Sequence, residues 1–394
     1  MKRRITIILM IFILSFNMAY GNEDNDESKG LTEKIIIEQL DTIDLTEMEE
    51  LIKTMNNQDS MGIPEIDIRD FIVKTLKGEM KFSLKGILLG VSKRLFEEII
   101  VNSKLLAQLI IISVLCGLLN NLTNSFGNNT TGQIAFYTCY LVIAGISIKG
   151  FIAAMQVGYQ AIDNMVSFMQ ALMPVLLTLL MAVGSITASA LFKPIIVASI
   201  GITSTIMKDL ILPLILLSAI LAIVNNLPTK IHISKLSSLL KQGCVTLIGL
   251  VLTIFLGIMT IEGVLASSTD GVTLRTARFA MDRFIPIVGG FMSEAIDTVF
   301  GCSLLIKNAV GVVGLLTILT IVTFPMLKII SLIIIYKVTA VLIEPISDTK
   351  IVGCLNDMSS SLVIVLATVI SVAIMFFIAV TAVVGAGNIT AMIR

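Results

Sequence analysis

The chain has 394 residues, enough for two or three soluble domains, but 56% of them are apolar and only 14% are charged. That is about half the charge expected of a soluble globular protein, and the mean hydropathy of +0.96 points to a membrane protein. The 28 basic and 28 acidic residues cancel, so no global field favours nucleic acid.

The charge is not evenly spread. Residues 1–21 read as a secretory signal peptide: Lys2, Arg3 and Arg4 precede a short apolar stretch, and Ala19 and Gly21 supply the small residues of a cleavage site. Residues 22–73 form an acidic segment with 15 acidic and 4 basic residues, expected on the extracytoplasmic side as a small helical region. Thr46-x-x-Glu49 is a capping-box pattern that predicts a helix start. Over residues 74–104 the sign reverses, with seven basic and three acidic residues. Leu88, Val91, Leu95 and Ile99 recur at helical spacing there, which predicts an amphipathic helix on the membrane surface or against a partner.

Residues 105–394 read as an all-α polytopic membrane domain. Apolar runs fall at 105–122, 134–154, 165–183, 188–207, 210–224, 245–260, 285–306, 309–327, 329–346 and 362–384. About 20 residues are needed to span a bilayer, and this predicts about 8–10 membrane segments, some of them tilted, broken or re-entrant. The Lys-rich connection around residues 225–243 is expected in the cytoplasm by the positive-inside rule. Pro174, Lys193, Pro213 and Pro228 are echoed by Pro286, Lys307, Pro325 and Pro345. This suggests an internal duplication, with repeats at about 165–262 and 275–386.

Little in the chain suggests catalysis. The single histidine, His232, lies in a Lys-rich connection, and HExxH, GxSxG, P-loop and CxxC patterns are absent. Neither a nucleophile–base pair nor a metal set is evident, so no catalytic, metal or cofactor residues are expected. The five cysteines read as small packing residues. Ionisable groups inside apolar segments are costly and therefore candidate pathway or packing residues. Asp282, Arg283, Glu294, Asp297 and Lys307 cluster around Pro286, Gly289 and Gly290, a helix-breaking run. Lys337 and Glu344 share one face of a later segment. Gly311-x-x-Gly314 suits close helix packing.

The stretch from Arg278-Phe279 through Phe284-Ile285-Pro286-Ile287-Val288-Gly289-Gly290 to Asp297-Thr298-Val299-Phe300-Gly301-Cys302-Ser303-Leu304-Leu305-Ile306-Lys307-Asn308-Ala309-Val310-Gly311 resembles the stage III sporulation protein AE family of endospore-forming bacteria. So does Leu172-Met173-Pro174-Val175-Leu176-Leu177-Thr178-Leu179, and the likeness extends over nearly the whole chain. The resemblance implies a permease-like, non-enzymatic subunit in the mother-cell membrane around the forespore. It implies partner subunits in one sporulation channel or secretion-like complex, required for late forespore development. It carries over no catalytic residues. A homo-oligomer is also compatible with the residues, and a stand-alone secondary transporter of a small solute is the other reading.

Overall fold

A computed structural model describes residues 38–40, 43–59, 68–76, 84–125, 129–227, 234–284 and 289–392. Within these helices, side chains are described except at 56–59, 76, 84, 120–125, 129–133, 264–284, 289–297 and 387–392. The chain divides into two units, Met1–Thr42 and Ile43–Arg394, and the second holds the helical bundle. Among the described residues every regular element is helical.

Three helices lead in: α1 (Thr46–Asp59), α2 (Ile68–Leu76) and α3 (Leu84–Val101). α1 starts where the capping pattern predicts, but its cap differs. The Asp44 carboxylate accepts the Thr46 amide at 3.1 Å, two residues on, as short acidic side chains commonly do. Hydrogen bonds from Thr46 hold the exposed Asp44 carboxyl below its usual range. α1 buries Met48, Ile52 and Met55, and α2 buries Ile68 and Ile72. These apolar stripes pack on helices of the membrane domain.

Eight to ten apolar runs resolve into five helices long and apolar enough to cross a membrane, or six if the bent pair α3 and α4 (Ser103–Ser125) is one span. The protein is therefore a multi-pass membrane protein. α3 and α4 meet at a 49° bend. There the Asn102 side chain turns back to the Glu98 carbonyl at 2.8 Å. α5 (Asn129–Ala182) is followed by a tight turn at Gly184, whose φ of 87° suits a residue without Cβ. α6 (Ile186–Thr205), a π turn (Ile206–Ile211) and α7 (Leu212–Asn225) then form one nearly continuous rod. α8 (Ser234–Phe284), α9 (Gly289–Ile343) and α10 (Thr349–Met392) complete the bundle.

Runs fuse because the polar residues that divide them in sequence, Asp163, Lys208, Lys307 and Lys328 among them, do not end these helical segments, and neither do the prolines inside the runs. Pro174, Pro194 and Pro325 all lie inside helices. In hydrocarbon a broken helix would leave backbone groups without partners, so continuity is favoured.

Packing between helices is close at specific glycines. A Cβ on Gly314 would lie 2.6 Å from the Leu172 side chain of α5, and one on Gly311 would strike Val384 of α10. The Gly311-x-x-Gly314 stripe thus seats α9 against two neighbours, as small residues do between membrane helices. Gly117 on α4 abuts the Ile346 backbone carbonyl in the same way. Tyr336 on α9 donates its hydroxyl to the Ser147 carbonyl of α5 at 2.8 Å. Tyr140 on α5 donates to the Ile223 carbonyl at 2.7 Å. That carbonyl is in the last turn of α7, where it also accepts the Asn226 backbone amide at 3.1 Å.

Candidate functional site

These contacts fix helix register and thus the depth of each charge. Tyr140 meets Ile223, and Asp163 meets Lys208, so α5 runs antiparallel to the α6–α7 rod. Tyr336 meets Ser147 while Gly314 meets Leu172, so α9 is also antiparallel to α5. Charge-free stretches then align with recognisable lengths. Lys307 and Lys328 bracket twenty uncharged residues of α9, and Lys241 and Glu262 bracket twenty of α8. At 1.5 Å per residue each bracket spans about 31 Å, the thickness of a hydrocarbon core.

Lys307 is fully buried and donates from Nζ to the Val384 carbonyl of α10 at 2.8 Å. It sits one helical turn before Gly311, which brings α10 close enough for that contact. Beside it, Asn308 holds an Oδ1 with no hydrogen-bond partner among the described residues. Glu262 on α8 is likewise buried, and its Oε2 has no partner among the described residues. An ammonium and a carboxyl inside apolar packing are able to bind or pass a proton or a counter-ion.

The other sequence candidates divide into two groups. Lys337 on α9 and Glu344, just past its end, are exposed, and neither forms an ion pair among the described residues. Lys193, matched to Lys307 in the expected duplication, is also exposed, so the two lysines have different surroundings. Asp282 and Arg283 belong to α8, and Glu294 and Asp297 to α9, but their side chains lie outside the described residues. Gly289 and Gly290 open α9, whereas Pro286 lies outside the described residues, as does His232. Cys116, Cys244, Cys302 and Cys354 are buried free thiols and Cys139 is half-buried, which suits packing. The described residues contain no group of three metal-ligating side chains.

Three polar constellations go beyond the sequence expectations. Asp357 on α10 accepts from Lys241 of α8 at 3.0 Å and from the Asn226 amide at the end of α7 at 3.0 Å. This clamp ties three helices together. Asp163 on α5 accepts Lys208 of the π turn at 2.6 and 2.9 Å. A π turn inside a helix often marks a functional position, and here it carries the cation of an inter-helix pair. Finally, Arg94 and Glu98 of α3 meet Lys328 of α9 around a small cleft. Asp163 and Lys208 carry a legible signal, since both interrupt apolar runs. The other two depend on register between distant helices.

Against known proteins, a family model described as stage III sporulation protein AE matches residues 66–387, from just before α2 almost to the end of α10. The chain belongs to the stage III sporulation protein AE family. It is 34% identical over 323 residues to the stage III sporulation protein AE of Bacillus subtilis (strain 168), covering 82% of this chain and 81% of that protein. No solved structure matches. Lys307, the Gly311–Gly314 stripe, the Asp163–Lys208 pair, the Asp357 clamp and the Arg94–Lys328 cleft all lie within the family region.

Proposed function

We propose that this chain is a membrane subunit of a sporulation channel or secretion-like complex that links mother cell and forespore and is required for late forespore development. The observation that carries the reading is family membership from α2 almost to the end of α10. In this reading the protein sits in the mother-cell membrane around the forespore, with its N-terminal region extracytoplasmic. It acts without catalysis of its own, beside other membrane subunits of the complex or further copies of itself.

The placement of charge supports an assembly subunit over a stand-alone transporter. A transporter confined to one chain would direct its ionisable groups inward, yet Lys337 of α9 and Glu344 just past its end are exposed. Past the bilayer boundary at Lys328 they are available to a neighbouring subunit. Lys307 is the exception and the candidate for a polar step inside the bundle. The region of Asp282, Arg283, Pro286, Gly289, Gly290, Glu294 and Asp297 would continue that path.

Deletion in the sporulating host should arrest spores after engulfment, and the tagged protein should co-purify with other membrane proteins of the same stage. Normal spore yield from the deletion strain would overturn the reading. Lys307→Met should insert in the membrane at normal levels but fail to complement. Full complementation by that variant would remove Lys307 from the path.

A further inference from the structure

We propose that the cleft between α3, α5 and α9 is a phospholipid headgroup site in which Arg94 and Lys328 hold the phosphate. The cleft has a volume of about 50 Å³ and is bounded by Arg94, Glu98, Gln160, Phe324, Pro325 and Lys328. That volume takes a single phosphate-sized group or about two waters.

Its polar groups are incompletely matched. The Arg94 guanidinium lies over the Phe324 ring at 5.7 Å and reaches Glu97 at 3.3 Å, yet its Nε is buried with no hydrogen-bond partner among the described residues. Stacking on an aromatic face fixes the plane of an arginine and leaves its edge for an oxyanion. Lys328 is exposed and forms no ion pair among the described residues. Glu98 is half-buried, and its carboxylate has no ion pair among them either. Two cations with one acceptor beside them suit a phosphate diester that also carries a donor, the ammonium or hydroxyl of a headgroup.

Depth selects a lipid over a free anion. Lys328 ends the twenty-residue charge-free stretch of α9, about 31 Å from Lys307, where headgroups begin. The Asp163–Lys208 pair marks nearly the same level, since Asp163 is one turn along α5 from Gln160. On α9, Leu319 is 48% exposed within that stretch, and Leu88 and Leu89 of α3 are 70% and 60% exposed, so acyl chains have apolar surface beside the cleft. Lipid binding here does not depend on the channel reading.

The test uses the purified full chain, stripped of lipid in detergent, and measures its thermal midpoint against added ligand. Short-chain phosphatidylglycerol or phosphatidylethanolamine should raise the midpoint of the unsubstituted protein. Inorganic phosphate at the same concentration should not. Arg94→Gln and Lys328→Gln should each need at least about tenfold more lipid for the same rise, the loss of one charge-assisted contact. If Arg94→Gln folds poorly, Lys328→Gln still reads the site, because Lys328 is exposed and has no ion pair among the described residues to lose. An unchanged lipid response in Lys328→Gln, an equal response to inorganic phosphate, or no response in the unsubstituted protein would each overturn the assignment.

Discussion

At single residues, two kinds of glycine separate by what surrounds them. A methyl group on Gly117 would collide with the Ile346 carbonyl oxygen, a backbone atom with little freedom to move. Overpacking of this kind costs about 1–3 kcal/mol. Gly201 on α6 has nothing within 4 Å of a built Cβ, and alanine is the better helix former by about 1 kcal/mol. Gly117→Ala should therefore lower the thermal midpoint in detergent while Gly201→Ala leaves it unchanged or raises it. Equal effects would show that α4 does not seat on the turn after α9. Asp44 gives a prediction in pH. Its carboxyl is held below the usual range by Thr46, so its contribution to α1 is present above the unfolded value near 4 and is lost as pH falls through the folded value. The protection factors of the amides in the first turn of α1, taken relative to the intrinsic exchange rate at each pH, should fall below about pH 4, and Asp44→Asn should show the weaker protection already at neutral pH.

Among elements, the Asp357 clamp is where three helices depend on one side chain. Lys241 is only 18% exposed, so losing its carboxylate strands a partly buried ammonium, while the Asn226 side-chain amide keeps its bond to the Ala222 carbonyl at 2.9 Å. A group stranded in this way costs about 1–3 kcal/mol. Asp357→Ala should destabilise by that order in detergent unfolding, and a Lys241→Met, Asp357→Leu double substitution should recover part of the loss. No recovery would mean that Asp357 acts mainly through Asn226. The helices themselves were legible in sequence: apolar runs, capping near Thr46 and the Gly311–Gly314 stripe all correspond to structure. Their lengths were not, because Asp163, Lys208, Lys307 and Lys328 read as the ends of apolar runs, whereas they, like Pro174, Pro194 and Pro325 inside those runs, lie within continuous helical segments. A proline removes one hydrogen bond and kinks a helix, but tertiary packing carries the axis past it. The cap also shifted, from Thr46 to Asp44, since a side chain two residues upstream of an amide competes for the same donor.

For the whole molecule, length is the decisive quantity. The apolar helix Thr298–Ile343 has 46 residues, about 69 Å at 1.5 Å per residue, more than twice the hydrocarbon core. Only part of it lies in hydrocarbon. Which part was half legible: Lys307 and Lys328 stand out in sequence, but their meeting with Val384 and with Arg94 needs the folded register. Between them lies the one stretch of this helix with twenty consecutive uncharged residues, whereas Lys337 and Glu344 divide the remainder of the apolar run. The bilayer should therefore enclose residues 308–327, and the end of α9 towards Ile343 should project beyond it. Leu319 and Leu342 distinguish the two regions, because they are 48% and 53% exposed in the fold. Protein burial cannot separate them, but lipid can. In proteoliposomes of the chain alone, with native cysteines replaced, Leu319→Cys should resist a water-soluble maleimide. Leu342→Cys, about 21 Å past Lys328 along the helix, should react when reagent is present on both sides of the membrane. After denaturation both should label equally. A protected Leu342→Cys with a reactive Leu319→Cys would move the bilayer to the other half of the bundle, and the headgroup depth assigned to Lys328 would then need an explanation from the opposite leaflet.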